Sequence, residues 1–168
     1  MKKVCIVGAA PSWKKTPFED ASFEIWTLNH KFAQYPRITR HFDVHIPNLN
    51  YHRNFEEYSK WLKENQGKLY ILGKSEEFPS ANVIDWLALV KKYGVYFTSS
   101  MAYMIALAIE EGFQEIQLYG VECNLKLEYE EQKPCLEYFI GIAKGKGIKV
   151  YIHPTSKLLK SEKGLYGF

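Results

Sequence analysis

Lys2-Lys3-Val4-Cys5-Ile6-Val7-Gly8-Ala9-Ala10-Pro11-Ser12 opens the 168-residue chain with a short apolar run that stops abruptly in small residues. Such a run, largely β-branched and broken by glycine, reads as a buried parallel strand whose carboxyl end opens into a tight loop. A loop of this kind presents backbone N–H groups with no bulky side chain in the way, which is the geometry that receives phosphate at the carboxyl edge of an α/β sheet. The spacing is neither Gly-x-Gly-x-x-Gly nor that of a Walker loop, so on these residues alone the stretch equally suits an ordinary strand-to-loop turn.

Working outward, the apolar patterning predicts further strands over 23–28, 38–44, 68–72, 96–97, 115–120 and 148–152. Helices are predicted over 54–66, with Asn54 as N-cap, Gly67 as the C′ residue and Phe55, Tyr58, Trp61 and Leu62 on one stripe, and over 83–93, ended by Gly94. Two more are predicted over 101–111 and 128–143, and Pro134 must occupy a first turn or a break in the last. The charged, Pro- and Ser-containing segment 74–81 reads as a surface loop able to overhang the pocket. Strands alternating with helices indicate an α/β, Rossmann-like three-layer sandwich with a mostly parallel sheet of about six or seven strands. One domain over 1–168 is expected, with a ligand beyond the carboxyl ends of the strands.

Composition narrows the function classes. The chain is 46% hydrophobic with 24% charged residues, so it is globular, and its net charge of +3 is small and without a Lys/Arg-rich block. Nucleic acid is therefore expected at most as an acceptor substrate. Cys5, Cys123 and Cys135 lack C-x-x-C spacing, and no apolar stretch is long enough to span a bilayer, so reduced, structural thiols in a cytoplasm are expected, and no membrane. The aromatic residues Trp13, Trp26, Tyr51 and Trp86 are read as packing first, with a pocket wall or a homo-oligomer interface as alternatives.

Three places carry chemistry-bearing side chains. His41, Asp43 and His45 stand at i, i+2 and i+4 at a strand end and would share one face if the strand stays extended. An exposed polar face or a structural Asp–His hydrogen bond is preferred there over a metal or acid/base site. Thr98-Ser99-Ser100 precedes a helix, where hydroxyls serve as N-caps and the free helix end also offers N–H groups and a positive dipole to an anion. Glu122 follows a strand end, and Tyr129 and Gln132 put polar groups at the start of the last helix.

Val7-Gly8-Ala9-Ala10-Pro11-Ser12, Trp26-Thr27-Leu28-Asn29, Thr98-Ser99-Ser100-Met101-Ala102-Tyr103-Met104 and Glu115-Ile116-Gln117-Leu118-Tyr119-Gly120-Val121-Glu122 together resemble a Rossmann-like group. That group includes the bacterial sialyltransferases of glycosyltransferase family 42, the archaeal 6-hydroxymethylpterin diphosphokinases and small phage-encoded proteins. The phage type is also similar at Glu128-Tyr129-Glu130-Glu131-Gln132-Lys133-Pro134. The resemblance to the sialyltransferases implies a bound cytidine nucleotide and nominates Gly8, Pro11, Ser12, Asn29, Ser99 and Ser100 as nucleotide contacts; Ala9 in the same loop, and Tyr129 and Gln132 in the stretch shared with the phage type, complete the candidate binding set. Ala9-Ala10 departs from the family's usual Asn-Gly, which leaves the base open. A late His acts as base in those enzymes, and His153 matches that role poorly.

The function expected is a nucleotide-dependent transferase, glycosyltransferase-like, with a nucleotide or nucleotide sugar as substrate and no resident cofactor or metal. His45, Asp43 and Glu122 are the candidates for the catalytic base. Two alternatives stand beside it. One is diphosphate transfer from ATP, with Mg²⁺ on Asp43 and Glu122; the other is a non-catalytic nucleotide-binding phage accessory protein, in the host cytoplasm.

Overall fold

Val4 and Ile6 face one side of the first strand and Cys5 and Val7 the other, and all four are 0% exposed, which is why the opening run shows no polar alternation. The structure, a computed structural model, describes residues 1–45, 55–126, 128–161 and 164–167. In chain order its strands are β1 (Lys3–Val7), β2 (Phe23–Leu28), β3 (Arg40–Phe42), β4 (Leu69–Ile71), β5 (Asn82–Val83), β6 (Glu115–Tyr119) and β7 (Lys149–Ile152). The α-helices are α1 (Phe55–Glu64), α2 (Trp86–Tyr93), α3 (Ser100–Glu110) and α4 (Lys133–Gly145). The strands form one seven-stranded sheet in the order β5-β4-β3-β2-β1-β6-β7, and every described pairing is parallel.

Helices cover both faces. On one, Val4, Ile6 and Trp26 meet Met104 and Ala108 of α3 and Phe139 of α4. On the other, Cys5, Val7 and Ile25 lie under Phe18 and Tyr35, while Leu69 and Ile71 lie under Tyr58 and Leu62 of α1. Burial pushes the Cys5 thiol up to about 12, as befits a packing residue, and Cys123 and Cys135 are buried too. No helix of the described residues is long and apolar enough to cross a membrane.

Several expected elements are redrawn. Tyr96 and Phe97 form no strand; the Phe97 ring instead stacks on Tyr103 at 4.4 Å and meets Phe139 at 4.7 Å, a use of aromatics that sequence periodicity does not separate from strand burial. The additional strand is β5, taken from the start of the predicted helix over 83–93, because Asp85 caps α2 by accepting from the Ala88 N–H at 3.0 Å and so delays the helix. β3 is confined to Arg40–Phe42 within the predicted 38–44. Residues 128–132 wind as a π-turn before α4, and Pro134 sits in the first turn of α4, where its missing N–H costs nothing. α1 stops at Glu64, and Gly67 lies inside a 3-10 turn (Gln66–Lys68) and not at a left-handed cap; Asn54 and Tyr51 lie outside the described residues. No residue of the 74–81 segment lines the cavity at the strand ends, and Phe78 is buried against the α1 layer.

One contact holds the centre. A Cβ placed on Gly8 would stand 2.3 Å from the Gly120 carbonyl oxygen and 2.6 Å from the Met101 Cε, and a Cβ on Gly120 would stand 2.3 Å from the Gly8 oxygen. The chain leaving β1 and the chain leaving β6 therefore touch backbone to backbone. Gly120 also takes φ +67°, the left-handed region. The substitution Gly120→Ala is expected to cost on the order of 3 kcal/mol, overpacking and backbone strain together, read as a lower urea midpoint with an unchanged slope.

Candidate functional site

In chain order β1 leads outward through β2, β3, β4 and β5, and α3 then carries the chain back to β6 on the opposite side of β1. The loops after β1 and β6 thus diverge at the point where strand order reverses, which is where open α/β sheets leave a crevice. A cavity of about 490 Å³ occupies this place. Ala9 and Ala10 line it from the β1 loop, Leu28 from the end of β2, and Val44 and His45 from the turn after β3. Ser99, Ser100 and Met101 line it from the start of α3, Glu122 and Cys123 from beyond β6, and Gln132 and Leu136 from the π-turn and α4. The ends of β1 and β2 and the start of α3 meet on one rim, as the sequence reading requires.

The loop after β1 is largely occupied with the end of β6 and the loop that follows it. The Gly8 N–H donates to the Tyr119 carbonyl at 2.8 Å, the Ala10 N–H to the Gly120 carbonyl at 3.1 Å, and the Ser12 N–H to Glu122 Oε1 at 2.9 Å. Ser12 Oγ in turn accepts from the Gly120 N–H at 2.7 Å. Gly8 and Ser12, nominated as nucleotide contacts, thus lie behind the cavity wall, and Pro11 is exposed at the start of a 3-10 turn (Pro11–Lys15). Within this loop, the Ala9 N–H has no hydrogen-bond partner among the described residues. Glu122 is 6% exposed; its Oε1 also accepts from Thr155 Oγ1 at 3.3 Å, and Oε2 has no hydrogen-bond partner among the described residues. It organises the loop more than it faces solvent.

Ser99 is the N-cap of α3, its Oγ accepting from the Ala102 N–H at 3.3 Å, which leaves the first-turn amides at Ser100 and Met101 at the cavity with the positive end of the helix. The residues before it are tied to α4. Thr98 Oγ1 donates to the Glu131 carbonyl at 2.8 Å, the Thr98 N–H to Cys135 Sγ at 3.5 Å, and Cys135 Sγ to the Tyr96 carbonyl at 3.2 Å. Nothing in the sequence flags this use of Thr98 and Cys135, since it depends on where α4 packs.

The cluster after β3 becomes a hydrogen-bonded set. Asp43 is 0% exposed; its Oδ1 accepts from the His45 N–H at 3.0 Å and from His45 Nδ1 at 3.2 Å, and its Oδ2 accepts from the Tyr58 hydroxyl at 2.9 Å. His41, also 0% exposed, contacts Thr27 Oγ1 through Nδ1 and the Tyr58 hydroxyl through Nε2, both at 2.8 Å. His41 and Asp43 share a face, bridged by Tyr58, whereas His45 departs from it because the chain turns after Phe42. Tyr58 read as core packing in the sequence; its polar tip was the one available signal. Among the described residues no three His, Cys, Asp or Glu side chains converge as a metal site, and both Asp43 oxygens are already engaged by protein donors. His153 hydrogen-bonds Thr155 at 2.9 Å and does not line the cavity. The side chains of Asn29 and Tyr129 lie outside the described part of the structure.

No family model matches the chain, and no curated protein matches it. Among solved structures it is similar to the sialyltransferase CstII from Campylobacter jejuni in complex with CMP-3FNeuAc, at 23% identity and a TM-score of 0.62, over 90% of this chain and 80% of that one. The same enzyme with cytidine-5'-monophosphate gives 24% and 0.63, over 93% and 81%. With a trisaccharide acceptor and CMP it gives 23% and 0.57, over 90% and 80%. The likeness establishes a shared fold.

Burial pushes the His41 imidazole from its ordinary 6.5 down to about 3. The unfolded chain takes up this proton near 6.5 and the folded chain only near 3, so this group lowers stability as pH falls through that window, by up to about 1.4 kcal/mol per pH unit. Its ring proton resonance is expected to stay flat between pH 8 and 5, and urea unfolding is expected to show the acid-side loss. A His41 resonance titrating near 6.5 would contradict the buried geometry.

Proposed function

We propose that the chain is a nucleotide-sugar-dependent transferase of the glycosyltransferase kind, with the nucleotide seated between the Ala9 loop and the start of α3. The observation that carries this reading is the placement of one cavity against three things at once: small-residue backbone, the free amides at the start of α3, and an imidazole backed by a buried carboxylate. The similar solved structures hold CMP or CMP-3FNeuAc, which makes a cytidine nucleotide the first donor to test. One of them also holds a trisaccharide, and we take the acceptor to be a saccharide hydroxyl and not a nucleic acid.

In this reading the acceptor O–H gives its proton to His45, its oxygen forms a bond to the donor's anomeric carbon, and the bond from that carbon to the phosphate oxygen breaks, releasing the nucleotide. His45 is the catalytic base and Asp43, out of contact with solvent, is its positioning residue. The departing phosphate is stabilised by the amides at the start of α3, with the Ala9 N–H and the Ser100 hydroxyl in support. Among the described residues no Lys or Arg lines the cavity, and we assign that stabilisation to helix and backbone dipoles. Glu122 is assigned to holding the Ser12 loop, not to proton transfer.

Two substitutions test the two halves separately. Ser99→Asp keeps a good N-cap but sets a negative charge against the phosphate, so stability is expected to hold within about 0.5 kcal/mol while CMP binding by calorimetry weakens about tenfold or more. His45→Asn is expected to leave CMP affinity within about twofold and to lower transfer from CMP-sugar to acceptor by on the order of a hundredfold. A panel of CMP, UDP and ADP sugars in which none raises the melting temperature would remove the nucleotide site. Binding with the donor recovered intact beside candidate saccharides would leave a binding module in place of a transferase.

A further inference from the structure

We infer that Tyr58 and His41 are positioning residues for His45, acting through a chain of hydrogen bonds that links Thr27, His41, Tyr58, Asp43 and His45, converges on the Asp43 carboxylate and reaches the cavity at His45. The inference deepens the transferase reading by naming what sets the base's proton, and its role in turnover rests on that reading.

The proton positions follow from bonding capacity alone. A carboxylate only accepts, so His45 Nδ1, 3.2 Å from Asp43 Oδ1, carries a hydrogen. Tyr58 has a single hydroxyl hydrogen, and it goes to Asp43 Oδ2 at 2.9 Å. His41 Nε2, 2.8 Å from the same hydroxyl oxygen, must then be the donor to it. His41 stays neutral because it is buried, so its Nδ1 is an acceptor and takes the Thr27 hydroxyl hydrogen at 2.8 Å. Burial also holds the Tyr58 hydroxyl far above its ordinary value, so its hydrogen is present throughout the neutral range. Every donor in the chain points toward Asp43, and the carboxylate receives hydrogens from both ends. The nitrogen left unprotonated on neutral His45 is Nε2, the atom a base would use.

The expense of this arrangement argues that it does more than fill space. Thr27, His41 and Asp43 are 0% exposed and Tyr58 is 1% exposed, whereas the His45 side chain, at 31%, is the member that reaches solvent. A buried polar chain is no more stabilising than apolar residues of the same volume, but fully satisfied it fixes one geometry. Here the geometry fixed is that of a cavity residue, supplied from β2, β3 and α1.

The direct test is ¹⁵N spectroscopy of the histidine rings in the ligand-free protein at pH 8. The Nδ1–H form is expected at His45 and the Nε2–H form at His41; the opposite form at either ring overturns the inference. Tyr58→Phe keeps the ring against Phe32 and removes only the hydroxyl. With Oδ2 released, the Asp43 carboxylate can turn away from His45 Nδ1, so His45 is expected to show a mixture of both tautomers, and turnover with CMP-sugar to fall about tenfold with KM within twofold. Thr27→Val is an independent second variant: with its donor gone, His41 can turn its hydrogen to Nδ1 and compete with Asp43 for the Tyr58 hydrogen, so a smaller shift in the same direction is expected. A folded Tyr58→Phe protein with the wild-type His45 pattern overturns the positioning role. The expected ring patterns in a protein that transfers no sugar would instead uphold the chain and dismiss the transferase reading.

Discussion

The mutual approach of Gly8 and Gly120 is the constraint on which the rest of the site depends. Two parallel neighbours normally stand about 5 Å apart, held off further along by side chains. Where β1 and β6 end, no side chain is present on either, and the carbonyl of each occupies the place of the other's Cβ. That contact brings Ser12 within reach of the Gly120 N–H and Glu122, and it seats Met101 of α3 against the same spot. The floor of the cavity is therefore backbone. A substituent of any size there would push the strand ends apart and α3 away with them.

Backbone also supplies the site's electrostatics. The described lining carries no cationic side chain, and oriented amides with the start of α3 are what it presents instead. Such dipoles are fixed by the fold and need no reorganisation when charge appears, which suits a leaving phosphate. The ties from Thr98 to Glu131 and Cys135 matter for the same reason, since they fix where the helix begins relative to α4. The opposite wall is built from polar side chains in place of backbone, with His45 held from behind by Asp43 and Tyr58.

The sequence on its own determined the architecture. Apolar runs that end in glycine, alternate with helical stripes and lack any long polar insertion leave little besides a parallel sheet with helices on both faces, and six of the seven strands fall inside the stretches read as strands or one residue beyond them. It pointed as well to the carboxyl rim, and Ala9, His45, Ser99, Ser100, Glu122 and Gln132, which it placed there, all line the cavity found at that rim. What it could not supply is the identity of each residue's partner. Gly8 read as an opening for phosphate, and the structure gives it to Gly120; Tyr58 read as core, and it turns out to hold Asp43. β5 and the coil at Phe97 exchanged roles because an aromatic or branched residue buries equally well in a strand or against a helix. Periodicity reports which way a side chain faces over a few residues, whereas the pairing of Ser12 with Glu122, separated by 110 positions, is set by the order in which strands join the sheet. Strand order is a property of the whole packed chain, and only the tertiary structure decides it.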